Sequence, residues 1–319
     1  MSRPELDLFP CRYPMAKSQD PRRTNGIFVT GSHRSGTTWI GKTISYSTSV
    51  HYIGELFNPN SFFLEGLITD WFHYVTPEER PEFTESISRI LNYDYVPNHR
   101  KPYFRWLPSR LLAYRITRKH LGLPRPLVKD PIAAMSAEWL ARTFDWDVLC
   151  IVRHPASFVL SLKKSGWGYD YQSFLSQKTL VEDWLFPYEG LLNSPPQDVV
   201  QAGSVIWLCI YHVLSEYSRR NPGWQVLRYE DIVGDPQATF NKIYDHLGLS
   251  YTRRIANKAI ENSSSANLVN APLDNPHLIK RNSQELREQW RSELDPASVT
   301  RIRNIVEPLA SQFYNEQDW

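Results

Sequence analysis

The stretch Gly-Ile-Phe-Val-Thr-Gly-Ser-His-Arg-Ser-Gly-Thr-Thr-Trp at residues 26–39 constrains this chain more than any other. Ile27, Phe28 and Val29 read as a short buried strand, the loop over 31–36 is rich in small polar residues, and Thr37 can start a helix. Strand, glycine loop and helix in that order make an anion cradle. Glycine lets the backbone turn and approach closely, free N–H groups converge, and the helix N-terminus adds partial positive charge. Gly31 and Gly36 have the spacing of a nucleoside-triphosphate loop, G-x-x-x-x-G-K-[ST], but Thr37 stands where the lysine belongs. The cation comes earlier, at Arg34.

The remainder of the chain repeats the strand-then-helix order. Helices are expected over 37–48, 133–143, 156–164, 198–220, 236–247, 283–292 and 297–314. Strands are expected over 50–53, 127–129, 148–152 and 225–228, the first of them ending at Gly54-Glu55-Leu56-Phe57. Residues 165–195 read as irregular, and 262–280 as an Asn- and Ser-rich loop. Residues 1–24, with four prolines, form an extended arm before a single domain over 25–319. Within it, 60–125 reads as a largely helical insertion whose second half is basic: eight Lys or Arg and no acid lie between 98 and 125. The fold class is therefore α/β, a P-loop-like parallel β-sheet of about five strands covered by helices on both faces. Ligands in such folds sit at the C-terminal strand ends.

Composition narrows the partners. With 319 residues and a net charge of +2, the chain is long enough for one large core, and its charge gives no reason to expect nucleic acid. Cys11, Cys150 and Cys209 are widely spaced and read as small buried hydrophobes rather than a disulfide framework or a metal site. The start lacks a signal-peptide apolar region, and no apolar stretch is read as approaching membrane-spanning length, so a cytoplasmic location is the expectation. Two readings of residues 98–125 stay open: a solvated face, or a peripheral contact with an anionic membrane or acidic acceptor.

A second informative stretch runs from Asp147 to Ser161, where an apolar strand delivers Arg153 to its C-terminal end and Pro155 can open a helix. Arginine's planar fork suits a phosphate monoester. Together, the 31–36 loop with its Arg34 and the Arg153–Ser161 spacing resemble the phosphosulfate and 3′-phosphate motifs of sulfotransferases that use 3′-phosphoadenosine-5′-phosphosulfate (PAPS). The resemblance extends through Val128-Lys129-Asp130-Pro131, through Arg228-Tyr229-Glu230-Asp231, and on to Trp290-Arg291. It implies cofactor contacts from Arg34, Ser35, Gly36, Thr37, Thr38, Trp39, Arg153, Ser161, Tyr229 (on the adenine) and Arg281. Lys280-Arg281-Asn282 is only a loose counterpart of the Arg-Lys-Gly triplet of cytosolic members. The loop arginine is that of bacterial and tyrosylprotein members, where cytosolic phenol and steroid members carry lysine.

The same resemblance implies sulfuryl transfer from PAPS to a hydroxyl acceptor (carbohydrate, lipid, phenol or peptide) with no metal required. In-line transfer needs a base for the acceptor proton and stabilisation of charge on the leaving phosphate. Arg34 suits the second task. Glu55, after the second strand, stands where tyrosylprotein and some bacterial members place a glutamate base, and apolar neighbours are expected to raise its pKa. His33, His51, His73 and His99 are fallback bases, and Lys129 at the rim, His33 and His99 are candidate acceptor contacts. The alternatives are a P-loop kinase or NTPase, with Asp130 holding magnesium, and a catalytically inactive nucleotide-binding protein of the same fold.

Overall fold

A computed structural model describes residues 25–61, 63–92, 124–166, 171–269 and 280–319. The N-terminal arm, Cys11, His99 and most of the basic 98–125 segment lie outside the described residues. Five strands form one sheet in the order β2-β3-β1-β4-β5, and every pairing is parallel. They are β1 (Ile27–Gly31), β2 (Val50–Ile53), β3 (Arg125–Lys129), β4 (Asp147–Val152) and β5 (Gln225–Arg228). All residues of β1, β3 and β4 are buried, as expected for central parallel strands covered on both faces.

Side chains alternate across the sheet and divide the core. Phe28, Val128, Val148, Cys150 and Val152 face one way, into a cluster built on α4 (Pro155–Ser165) and α5 (Val199–Arg220). Ile27, Val29, Leu127, Leu149 and Ile151 face the other way, against α1 (Thr37–Ile44) and α7 (Pro236–His246). Cys150 and Cys209 are buried free thiols whose pKa burial pushes up. Short helices α2 (Arg80–Leu91), α3 (Ala137–Thr143) and α6 (Tyr229–Gly234) fill the intervening connections. A helix α8 (Arg253–Ser263) follows, with α9 (Ser283–Glu293) and α10 (Pro296–Val306) completing the chain.

Three sequence expectations need correction. Arg125 is not part of a solvated basic run. It opens β3, is buried, and donates to Asp147 Oδ2 at 2.9 Å and to the carbonyls of Asn25 and Leu247, each at 2.6 Å. Helix α1 stops at Ile44 rather than 48, where the Ser45 hydroxyl turns back to the Lys42 carbonyl. Finally, Val199–Arg220 is long and apolar enough to cross a membrane, but 72% of its apolar window is buried inside the fold, so it is accounted for as the core helix α5.

The order of the strands fixes where a ligand can sit. The chain runs from β1 outward to β2 and β3 on one side, then to β4 and β5 on the other. The switch point lies at the C-terminal end of β1, where the glycine loop begins.

Candidate active site

Each strand delivers a different group to the same end of the sheet. Directly after β1 come Ser32 to Gly36; after β2, Glu55; after β3, Asp130; after β4, Arg153; after β5, Tyr229. There a cavity of about 720 Å³ opens, lined by His33, Arg34, Gly36, Thr37, Thr38, Trp39, Glu55, Arg153, Tyr229 and Arg281, with a second, aromatic set described below.

The glycine loop is tight enough to need its glycines. Gly31 (φ 142°) and Gly36 (φ 92°) lie where side chains rarely go. A Cβ on Gly36 would sit 2.7 Å from the Tyr229 ring. Arg34 itself has φ 64°, a conformation that is uncommon without glycine and that clusters at functional sites. Its Nε donates to Ser161 Oγ at 3.0 Å, and Arg153 Nη1 donates to the Arg34 carbonyl at 2.7 Å. The two sequence motifs are thus one hydrogen-bonded unit, although Ser161 bonds the loop arginine rather than Arg153.

Three guanidinium groups, Arg34, Arg153 and Arg281, line this end of the cavity. Burial, then the charges of Arg153 and Arg281, lower the Arg34 pKa to about 10. Burial and Arg153 lower Arg281 against the opposing influence of Tyr229. Arg153 lies 5.0 Å over the Tyr229 ring, is 6% exposed, and leaves Nε buried without a hydrogen-bond partner among the described residues. Mutually repelling, partly desolvated cations of this kind form a preorganised anion site.

Helix α5 fixes the ends of β1 and β4 from beneath. The Tyr211 hydroxyl donates to the Ile151 carbonyl at 2.9 Å and accepts from the Ser32 backbone N–H at 3.2 Å. Its remaining neighbour, Ser32 Oγ at 2.8 Å, is then the donor. One turn earlier, Trp207 Nε1 donates to the Arg153 carbonyl at 2.8 Å.

Glu55 also lines the cavity, 19% exposed. Its Oε1 accepts from Lys129 Nζ at 2.5 Å and its Oε2 from Asn58 Nδ2 at 2.8 Å. The carboxylate is therefore oriented by a lysine, not merely surrounded by apolar side chains. Lys129 is correspondingly buried, 4% exposed, beneath Glu55 rather than at the rim. His33 also lines the cavity, and burial together with Arg34 lowers its pKa to about 4 against the opposing influence of Glu55. It is neutral near pH 7. His51 lies in β2, and His73 is buried beside Glu79 at 3.3 Å; neither lines the cavity.

Two further expectations change. Ser35 is fully buried, its hydroxyl donating to the Ser32 carbonyl at 2.6 Å and its N–H donating to the same oxygen at 3.2 Å, so neither group faces the cavity. Asp130 is also buried and accepts from the backbone N–H groups of Phe57 (2.7 Å), Ile132 (2.9 Å) and Ala133 (3.1 Å). Burial and the charge of Glu55 push its pKa up to about 7 against those N–H donors and Lys129. This carboxylate ties two strand ends together; it does not line the cavity, so the magnesium-holding role proposed for it has no geometric support.

Among the lining residues that sequence reasoning missed are Asn58, Trp71, Phe72, Tyr171, Phe174, Ile206 and Leu286. Most come from irregular segments, where no periodicity marks them.

Over 86 residues, 27% of this chain, the sequence is 28% identical to carbohydrate sulfotransferase 2 of Mus musculus and of Homo sapiens. That match spans 16% of the length of those relatives. The sulfotransferase domain of the Synechococcus PCC 7002 olefin synthase superposes with a TM-score of 0.50 at 18% identity, covering 91% of this chain and 94% of that one. Mouse sulfotransferase SULT7A1 complexed with PAP gives a TM-score of 0.45 at 11% identity, covering 93% and 87% of the two chains. The profile of the sulfotransferase family matches residues 26–253, from the first strand to the start of α8. The chain belongs to the sulfotransferase family.

Proposed function

We propose that the protein transfers a sulfuryl group from PAPS to a hydroxyl acceptor. The observation that carries the reading is the convergence of Arg34, Arg153 and Arg281 on one cavity at the sheet's switch point. The residues present fit such a nucleotide. Arg153 has a buried Nε with no described partner, and Gly36 leaves space beside Tyr229 that a Cβ would fill. Arg153 and Arg281 would hold the 3′-phosphate, Tyr229 the adenine, and the loop N–H groups with Arg34, Thr37 and Thr38 the 5′-phosphosulfate. When bound, PAPS supplies the activated sulfuryl group.

The chain's own groups then provide the rest. Glu55, fixed by Lys129 and Asn58, takes the acceptor proton at a carboxylate oxygen. Arg34, whose charge is held beside the loop, stabilises negative charge on the leaving phosphate. The neutral His33 faces the same space and does not compete as a cation.

Calorimetry tests the donor. PAPS and its product 3′,5′-adenosine bisphosphate (PAP) should bind in EDTA, and removing the 3′-phosphate should weaken binding by about 2–4 kcal/mol, because buried guanidinium groups lose their partner. Equal affinity for PAPS and adenosine 5′-phosphosulfate would refute the assignment. Magnesium-dependent ATP binding would instead favour phosphoryl transfer.

A further inference from the structure

The stretch Arg228-Tyr229-Glu230-Asp231 puts a carboxylate directly after the residue assigned to the adenine. Glu230 lies in the first turn of α6 and is 9% exposed. Its oxygens are taken by neutral donors. Oε1 accepts from the His154 backbone N–H at 2.9 Å, and Oε2 accepts from the Tyr314 hydroxyl at 3.0 Å. Burying a carboxylate is costly unless its oxygens are engaged, so each of these bonds is strongly held.

The His154 N–H belongs to the same peptide unit as the Arg153 carbonyl, which accepts from Trp207 Nε1 at 2.8 Å. One rigid plane is therefore held at both ends by buried side chains. The support falls where the sheet no longer supplies it. Pairing of β4 ends at Ile151 with Gly31 and at Val152 with Arg228, one residue short of Arg153. The orientation of this peptide sets the direction in which the Arg153 side chain leaves the backbone. That side chain is buried over the Tyr229 ring, with Nε lacking a partner among the described residues. Hydrogen bonds weaken steeply with misalignment, so a loosened peptide weakens whatever anion this guanidinium holds.

Tyr314 completes the brace. It is buried, meets His154 edge-on, and carries the Arg228 guanidinium 4.7 Å over its ring. Arg228 Nη2 in turn donates to Asp318 Oδ1 at 2.5 Å. The segment beyond α10 is thereby fastened to the end of β5 and, through Glu230, to the end of β4.

We propose that Glu230 and Tyr314 are positioning residues that brace the Arg153–His154 peptide and so aim Arg153 at the 3′-phosphate of the donor. The proposal rests on the PAPS reading above and deepens it.

The test is calorimetric binding of PAP and of adenosine 5′-monophosphate, which lacks only the 3′-phosphate, to the full chain. Wild type should bind PAP at least about thirtyfold more tightly. Glu230→Leu should cut that preference by at least about tenfold. Tyr314→Phe removes one hydroxyl and keeps the ring on His154, and should cut it by about threefold. Binding of the monophosphate should stay within about twofold in both, which also reports that the variants are folded. Glu230→Gln can still accept from the His154 N–H and can donate to the Tyr314 oxygen, so it should keep most of the wild-type preference. A preference unchanged in both Glu230→Leu and Tyr314→Phe would overturn the proposal. So would equal losses for the two nucleotides, which a merely structural role produces. If wild type itself does not discriminate, the donor reading falls and the brace with it; discrimination that survives both variants refutes the brace alone.

Discussion

His154 allows the cost of acid to be worked out from the structure. It is 2% exposed, lies parallel to Trp290 at 4.7 Å, and meets Tyr314 and Trp319 edge-on at 4.8 and 4.5 Å. Burial, with Arg291, Arg228 and Arg153 outweighing Asp318, lowers its pKa to about 3. A histidine whose folded pKa lies below its unfolded value of 6.5 contributes stability that is fully present above 6.5 and is lost as pH falls toward the folded pKa. At about pH 4.5 the unfolded chain carries this proton and the folded chain does not, so the loss relative to neutrality is about 2.5 kcal/mol. That value barely changes whether the folded pKa is about 3 or about 4, because both lie below the test pH. The perturbation is His154→Asn. Asparagine can still accept from the Ala156 N–H, which His154 Nδ1 now does at 3.3 Å, and it does not titrate. Urea unfolding followed by tryptophan fluorescence at about pH 7 and about pH 4.5 gives the pH loss for each protein. Wild type should lose about 2–3 kcal/mol more than the variant, since His33 and the carboxylates act equally in both. Equal pH losses would refute the reasoning.

Two further substitutions probe the site. Glu55→Gln should slow sulfuryl transfer by about 10²–10⁴-fold with PAP affinity unchanged. It should also destabilise the fold by about 3 kcal/mol by leaving Lys129 buried without its carboxylate. Adding Lys129→Met should restore stability in urea unfolding but not turnover; restored turnover would remove Glu55 from the role of base. Gly36→Ala should weaken PAP by more than about tenfold in calorimetry, because φ 92° strains any residue with a side chain and a Cβ there would sit 2.7 Å from the Tyr229 ring; unchanged affinity would count against the loop as the binding site.

The sheet was legible because its strands are apolar on both faces, which leaves little else for 27–31 or 147–152 to be. Arg34 and Arg153 were legible because each directly follows, or sits in the loop after, such a strand. What sequence could not convey was orientation. A lysine closing an apolar strand looks like a rim residue until its partner is known, and Lys129 is buried because Glu55 meets it. Ser35 belongs to the motif by position, yet it spends its hydroxyl on Ser32. Helix α8 was missed, although Thr252 caps it by accepting from the Ile255 N–H, because its polar residues outnumber its apolar ones. The aromatic wall was illegible for a different reason. It is assembled from residues near 71 and near 174, joined by single hydrogen bonds rather than by a periodic face.

The contacts from Trp207 and Tyr211 make α5 a ruler for the sheet end of the cavity. Four residues apart on one helix, they hold the Arg153 carbonyl and the Ser32 turn, so the separation of the ends of β4 and β1 is referred to a rise of about 6 Å along a rigid rod. Lengthening or shortening the loops around it leaves that gauge unchanged. The aromatic wall has no such reference, being pinned chiefly through one glutamine on irregular backbone. The two parts of the cavity can therefore diverge at different rates: a lineage can reshape the aromatic wall by redrawing a few loop residues while the gauge cut into the core stays fixed.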